Sequence, residues 1–419
     1  MHKPPHPRWT GALALAAGAS LALAPTALAH SGSSGHGSEH DDHGHHGRGD
    51  DHGRGDHDGR NDDHVRDRHA ERTVGRFAQR DLVADADGAA ELTDPALVNA
   101  WGLSFGPATP AWVSNFASAN STLYAGGVNG SPVTKTPLTV TIPGGTPTGQ
   151  VFNPTTEFVV RSGDAAAPSR FIFATARGTI AGWSSTVPAA GSTEAQTAVT
   201  TPTAEYTGLA IAGSQLYAAD FHNARVDVFD GSFAPIDRPG AFRDARIPRG
   251  YAPFGIETVG DRVVVTYAKQ DAARQLDVPG PGHGFVDVYS TSGQLLKRLA
   301  ARGPLDSPWG VAQAPQSFGA ARDALLIGNF GDGRISAYSP RGRFLGQLAG
   351  DHRRAIEIPG LWALKFGNGV IGTPDSLLFT AGPAQGRHGL FGELNAAQTQ
   401  APAPTAPTTP SAPSMPGGY

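Results

Sequence analysis

Sixteen histidines are spread unevenly along this chain, and ten of them fall between His30 and His69. His30, His36, His40, His43, His45 and His46 open the run, and His52, His57, His64 and His69 continue it among eleven Asp or Glu residues of segment 30–72. Imidazole and carboxylate are ligands for Zn²⁺, Cu²⁺ or Ni²⁺, and a flexible chain can gather several of them around one ion. Val65 is the one large apolar residue there, so the segment has no face to bury and is expected to stay disordered. Metal catalysis needs rigid ligands, so the chemistry this stretch supports is low-selectivity metal sequestration; a hydrophilic spacer of biased composition is the plainer reading.

A second set of chemistry-bearing residues is scattered through the rest of the chain. His222, His283 and His388 could hold a metal of a lyase type, while Asn115, Asp220, Asn329 and Glu257 are the oxygen donors available for a Ca²⁺-dependent hydrolase or lactonase. Arg177, Tyr267, Lys269 and Asp271 join them as candidate ligand contacts. The mixture of Lys and Arg with Asp suits a polar or zwitterionic ligand, such as a small molecule, a sugar or a peptide. No G-x-S-x-G elbow, P-loop or H-E-x-x-H occurs, and with no Cys there is no thiolate site or Cys nucleophile. The expected function is therefore a binding or scaffold module, with the metal-dependent enzyme as alternative. A net charge of −4 over 419 residues gives no electrostatic case for nucleic acid.

Residues so far apart can share a site only if a repeat brings them together, and the chain carries one. Gly102, Gly149, Gly208, Gly255 and Gly310 recur roughly every 52 residues, each in a strand-like opening such as Asn99-Ala-Trp-Gly-Leu or Pro308-Trp-Gly-Val-Ala, and Trp362 marks a sixth. Each opening is followed by two β-rich runs, for example Leu216-Tyr-Ala-Ala-Asp then Arg225-Val-Asp-Val-Phe, and a weaker fourth run follows in five units. Gly plus Pro make up about a fifth of the residues, which favours many short strands. The pattern predicts an all-β, six-bladed β-propeller of four-stranded blades over 76–397, with seven blades or paired sandwiches as alternatives. The sixth unit lacks a fourth strand and Arg80 to Ala84 is a spare one, so an N-terminal strand is expected to close the ring in the last blade. In such a ring the loops from second to third strands, and those entering each first strand, open on one face. On that face the fourth unit is unusual: 268–284 is long and contains Pro279-Gly-Pro-Gly, which reads as a shaped flap.

The openings "NAWGLSF" and "SPWGV" resemble NHL-type propeller repeats. More narrowly, "DPALVNAWGLSF", "YAKQDAARQLDVPGPGHGFVDVY" and "GLWALKFGNG" resemble an uncharacterised family of secreted bacterial six-bladed propellers, over roughly residues 80–395. The resemblance implies the fold and export and carries no established reaction or ligand.

The ends are different material. Residues 1–29 read as a signal peptide, with Lys3 and Arg8 before an apolar stretch and Ala27-Leu-Ala before the cut, so a secreted or periplasmic mature chain is expected to begin at His30. No later segment is apolar enough for a membrane helix. Residues 398–419 form a Pro/Thr-rich tail expected to stay extended, and the propeller is expected to be a monomer.

Segment 30–72 is expected to bind Zn²⁺, Cu²⁺ or Ni²⁺ at neutral pH and to release it below about pH 5.5, where imidazoles with an ordinary pKa near 6.5 are protonated. Calorimetric titration of the exported chain at pH 7.4 and pH 5 checks this; affinity that is unchanged at pH 5 rules out imidazole ligation.

Overall fold

The computed structural model describes residues 72–397, and these are almost entirely β. The expected signal segment 1–29, the ten N-terminal histidines from His30 to His69 and the tail 398–419 lie outside the described residues. Six blade sheets and one separate two-stranded hairpin hold the strands of the described residues. The first blade is Ala100–Ser104, Ala111–Asn115, Asn120–Gly126 and Val133–Thr141, paired in chain order as an antiparallel meander. The second pairs Pro147–Phe152, Phe171–Thr175, Thr179–Trp183 and Gln196–Thr200, with a separate hairpin, Val159–Ser162 and Ala165–Pro168, inserted after its first strand. The fourth is Tyr251–Val259, Arg262–Lys269, Gly284–Ser290 and Leu295–Ala301, and the fifth Pro308–Gln313, Leu325–Asn329, Ile335–Tyr338 and Phe344–Leu348.

The third blade departs from the expectation of a fourth run in each of the first five units. It has only Tyr206–Ala212, Gln215–Asp220 and Arg225–Asp230. The chain instead turns back after Asp230, touches the outer strand through Ile236 N to Val228 O (2.7 Å), and runs as an irregular segment to Gly250. Pro235, Pro239 and Pro248 lie in this segment, and proline cannot donate to a ladder.

Ring closure is as the spare strand predicts. Phe77–Ala84 pairs antiparallel with Leu390–Ala396, from Phe77 opposite Ala396 to Ala84 opposite Leu390, and completes the blade begun by Leu361–Phe366 and Leu377–Ala381. A feature without a sequence signal is Thr73–Val74, which adds in parallel to the outer edge of the fifth blade. The closing strand buries Phe77, Leu82, Val83 and Ala84.

Between successive blades lie six apolar seams, one per junction. Leu209, Leu216 and Phe229 meet Ile172 and Ile180 between blades two and three, for example, and Tyr217 and Val228 meet Val263, Tyr267 and Tyr289 between three and four. On the axis the inner strands approach too closely for side chains. A Cβ on Gly149 would clash with the Leu209 amide nitrogen, and one on Gly255 with the Trp309 carbonyl. Threonine hydroxyls tie neighbouring inner strands instead: Thr148 Oγ1 donates to Tyr206 O (2.6 Å) and Thr207 Oγ1 to Phe254 O (2.7 Å).

Deleting 76–84 removes buried Phe77, Leu82 and Val83, each contributing roughly 1.5–3 kcal/mol, together with Ala84, and bares the edge of Leu390–Ala396. The truncated protein is expected to aggregate or to lose cooperative unfolding. A truncation that melts like the parent in a calorimeter would refute closure by this strand.

Candidate functional site

The axis is closed by aromatic rings. Trp101 and Trp362 stack with centroids 3.5 Å apart, and Trp309 stands edge-on to both at 6.4 and 5.9 Å. Phe330 stacks on Trp362 (4.0 Å) and Phe116 on Trp101 (5.3 Å). Trp309 Nε1 donates to Thr207 O (3.0 Å), so the fifth blade is tied to the third, and Trp362 Nε1 donates to Asn99 Oδ1 (3.1 Å). Beside this plug the inner strands enclose about 20 Å³ next to Gln150 and Glu257, room for about one water.

With the axis filled, the candidate donors on the upper face serve their own turns. Asn115 is buried and donates from Nδ2 to Asn120 Oδ1 (2.8 Å) and Thr122 Oγ1 (2.9 Å). Asp220, also buried, accepts from the amides of Glu205 (3.2 Å) and Asn223 (3.1 Å) and from Asn223 Nδ2 (2.7 Å). Asn329 donates to Pro304 O (2.8 Å) and Asp332 Oδ1 (3.0 Å). In all three a Phe follows at once (Phe116, Phe221, Phe330), so the polar residue shapes the turn that carries an aromatic ring. Glu257 instead faces Lys365 Nζ at 3.7 Å.

The three histidines lie in separate loops, and the rings of two are engaged there. His283 Nδ1 lies 2.8 Å from Val278 O and must donate to it, since a carbonyl only accepts, and His388 Nδ1 lies 3.0 Å from Asp85 Oδ2. His222 is half-buried beside Phe221, whose carbonyl accepts from Gln270 Nε2 (2.6 Å). Arg177 is exposed at the turn of the second blade, and Lys269 ends a strand with its carbonyl accepting from Val278 N (2.8 Å). Among the described residues no three His, Asp or Glu side chains gather as a metal site.

Only Tyr267 and Asp271 of the expected residues are brought together, and they line a cleft of about 600 Å³ at the junction of blades three and four. The missing fourth strand of the third blade makes room for it. Segment 231–250 crosses there, packing Phe242 and Ile247 against Tyr217, Tyr251 and Tyr289. The opposite wall is the flap, whose chain turns at Asp271: its Oδ1 accepts from Gln275 N (2.9 Å) and Leu276 N (3.3 Å), and Arg274 holds the left-handed backbone at φ 59°. Tyr267 OH meets Tyr289 OH at 2.6 Å. Arg243, Arg249, Tyr251 and Arg274 complete the walls. These four were missed by the sequence reading, although the Arg-rich run Arg243-Asp-Ala-Arg-Ile-Pro-Arg stands out in an otherwise charge-poor chain.

Two groups of carboxyls pin the flap. Glu205 sits beside Asp220 and Asp271, and burial followed by those two charges pushes it up to about 8. Asp277 is pushed up to about 6 by burial, with the Asp306 and Asp271 charges adding to it; Asp306 Oδ1 in turn accepts from Gly280 N (2.7 Å). Asp244 behaves oppositely. Burial raises it, but Arg246 and Arg298 (3.1 and 2.5 Å) outweigh that and keep its carboxyl below the ordinary range.

No family profile matches the chain. The uncharacterized protein R648 of Acanthamoeba polyphaga mimivirus is 30% identical over 292 residues, covering 68% of this chain and 72% of that protein. The chain belongs to the same family as this viral protein. A second uncharacterized protein of the same virus is 36% identical over 163 residues, of which the match spans 44%. Among solved structures, a streptogramin B lyase superposes with a TM-score of 0.44 at 8% identity, covering 77% of this chain and 98% of that one. The PQQ-bound aldose sugar dehydrogenase of Streptomyces coelicolor gives 0.44 at 15% identity (77% and 99%), and the WD40 propeller domain of Doa1 gives 0.42 at 7% (77% and 97%). The six-bladed assignment rests on the strand pairing itself.

A raised acid has a defined consequence for stability. Asp277 unfolded titrates near 3.9, and folded near 6, so the folded state holds its proton more tightly. Stability from this group is fully present below about pH 4 and is lost as pH rises through 6. Asp277→Asn, which never ionises, is expected to melt about 2 °C or more above the parent at pH 7.5 and level with it at pH 4. An equal difference at both pH values would show that the carboxyl is not titrating in this environment.

Proposed function

We propose that the chain is an exported binding module whose upper-face cleft, between blades three and four, receives a polar small molecule, sugar or peptide. The observation that carries this reading is the 600 Å³ cleft itself: a concave, polar and aromatic lining on the flap side, next to an axis filled by tryptophan. Clefts of this size suit drug-sized ligands, and conformationally defined loops on a rigid ring keep the ordering cost of binding low. In this reading the signal segment 1–29 directs a secreted or periplasmic, bacterial-type chain, and segment 30–72 adds metal sequestration. Partners are a small molecule, a sugar or a protein, and the working form is a monomer. The described residues contain no helix long and apolar enough to cross a membrane. The hydrolase, lactonase and lyase alternatives receive less support, because Asn115, Asp220, Asn329, His283 and His388 each bond within a separate turn or loop, although Asn115 Oδ1 and Asn329 Oδ1 are buried without a partner among the described residues.

Replacing 271–282 with a short turn tests the reading. The flap's residues meet a blade strand only at its end, where Val278 N donates to Lys269 O (2.8 Å), so the ring is expected to fold and melt within a few degrees of the parent. Binding of the parent to glycan and peptide arrays is expected, and its loss in the replacement. Binding that survives the replacement moves the site off this cleft.

A further inference from the structure

The cleft has a charge that its individual residues do not suggest. Arginines around it fall into two kinds. Those nearby but outside the lining sit on carboxylates: Arg225 on Asp227 (2.7 Å), Arg246 on Asp244 (3.1 Å), Arg298 on Asp244 and Asp287 (2.5 and 3.3 Å). Arg243, Arg249 and Arg274, which do line it, are exposed, and among the described residues their side chains have neither an ion-pair nor a hydrogen-bond partner. They come from two separate segments, the crossing segment 231–250 and the flap, and meet on one cavity.

The acids of the lining offset them only in part. Asp244 is already shared by two guanidiniums from outside the cleft, and Asp271 gives Oδ1 to two backbone amides of its own turn. Three guanidiniums on one concave surface repel one another, and the repulsion is relieved when an anion enters. Guanidinium also presents a fork of N–H donors that matches carboxylate, phosphate or sulfate two bonds at a time. Tyr251, half-buried with its ring edge-on to Phe285 (4.9 Å), supplies an apolar wall beside them.

We propose that this cleft recognises a small organic anion, gripping its anionic group with Arg243, Arg249 and Arg274 while Tyr251 packs against its carbon frame. The proposal rests on the cleft reading above and deepens it by naming the ligand's charge. Carboxylate and phosphate share the chemistry that the arginines read, and citrate and inorganic pyrophosphate separate the two sources; glucose serves as the neutral probe.

The experiment is isothermal titration of the full exported chain with each probe at low and high salt. Citrate or pyrophosphate is expected to bind with a dissociation constant below about 1 mM in 50 mM NaCl, and glucose not to bind in that range. Binding is expected to weaken about tenfold in 0.5 M NaCl as the charges are screened, and about tenfold for each of Arg243→Gln, Arg249→Gln and Arg274→Gln. These side chains are exposed and form no hydrogen bond or ion pair among the described residues, so the three variants are expected to melt with the parent, and Arg341→Gln, on the exposed rim of the fifth blade, is expected to bind as the parent does. Failure of both anions to bind the parent, or equal binding by the triple variant, overturns the proposal. A neutral ligand from the arrays that is lost on flap replacement but indifferent to the three Arg→Gln changes overturns the anion while leaving the cleft standing. Loss of nothing on flap replacement removes the cleft as well.

Discussion

Six inner strands can share one axis only where their backbones touch, and that crowding governs the rest of the molecule. It forces glycine at positions such as Gly149 and Gly255, where a methyl group would strike the next blade's backbone. It also leaves, toward the upper face, a widening core that six short strands cannot fill with small residues. Trp101, Trp309 and Trp362 fill it, and two of the three indoles anchor N–H groups on Thr207 and Asn99. The ring's hole is thereby consumed by packing. Any site on the upper face must be made by loops and seams, away from the axis.

The third blade supplies that place through an omission. A fourth strand after Asp230 would have sealed the outer part of the junction with the next blade. Segment 231–250 pairs only briefly at Phe229 and Pro235, then leaves the ladder, and its own Phe242 enters the seam in place of a strand. The enlarged turn after Lys269 then faces it across open space. Neither segment alone encloses a cavity; the cleft exists because the omitted strand and the long turn are neighbours.

Much of the ring was legible from residues alone. The period of glycines and tryptophans marked the six inner strands, and the surplus strand near Arg80 marked the closure, because both follow from backbone geometry that repeats. The site was less legible, for a physical reason. Asn115, Asp220 and Asn329 sit where a channel ligand would be, and the same Asn/Asp chemistry that binds a cation also shapes a turn, as their buried hydrogen bonds do here. The expectation of a weak fourth run in the third unit failed because Pro235 and Pro239 remove donors that a ladder needs. Arg243 and Arg249 carried a compositional signal, but nothing in a linear sequence showed that Arg274, in the next unit, faces the same space.

The flap joins these two halves of the argument. Its acidic residues are engaged by the protein itself: Asp271, in the cleft lining, accepts from amides of its own turn, and Asp277 is buried beside the Asp306 turn of the fifth blade. Its basic residue, Arg274, turns toward the cleft. Glu205, held near 8 by burial and by Asp220 and Asp271, is uncharged at neutral pH and withdraws one further negative charge from this region of the face. Asp271 keeps its charge while it accepts from its own turn, and the three exposed guanidiniums of the lining outnumber it. A chain with a nearly balanced overall charge thus presents a locally positive concavity, and the same burial that positions the flap sets the sign of the field inside it.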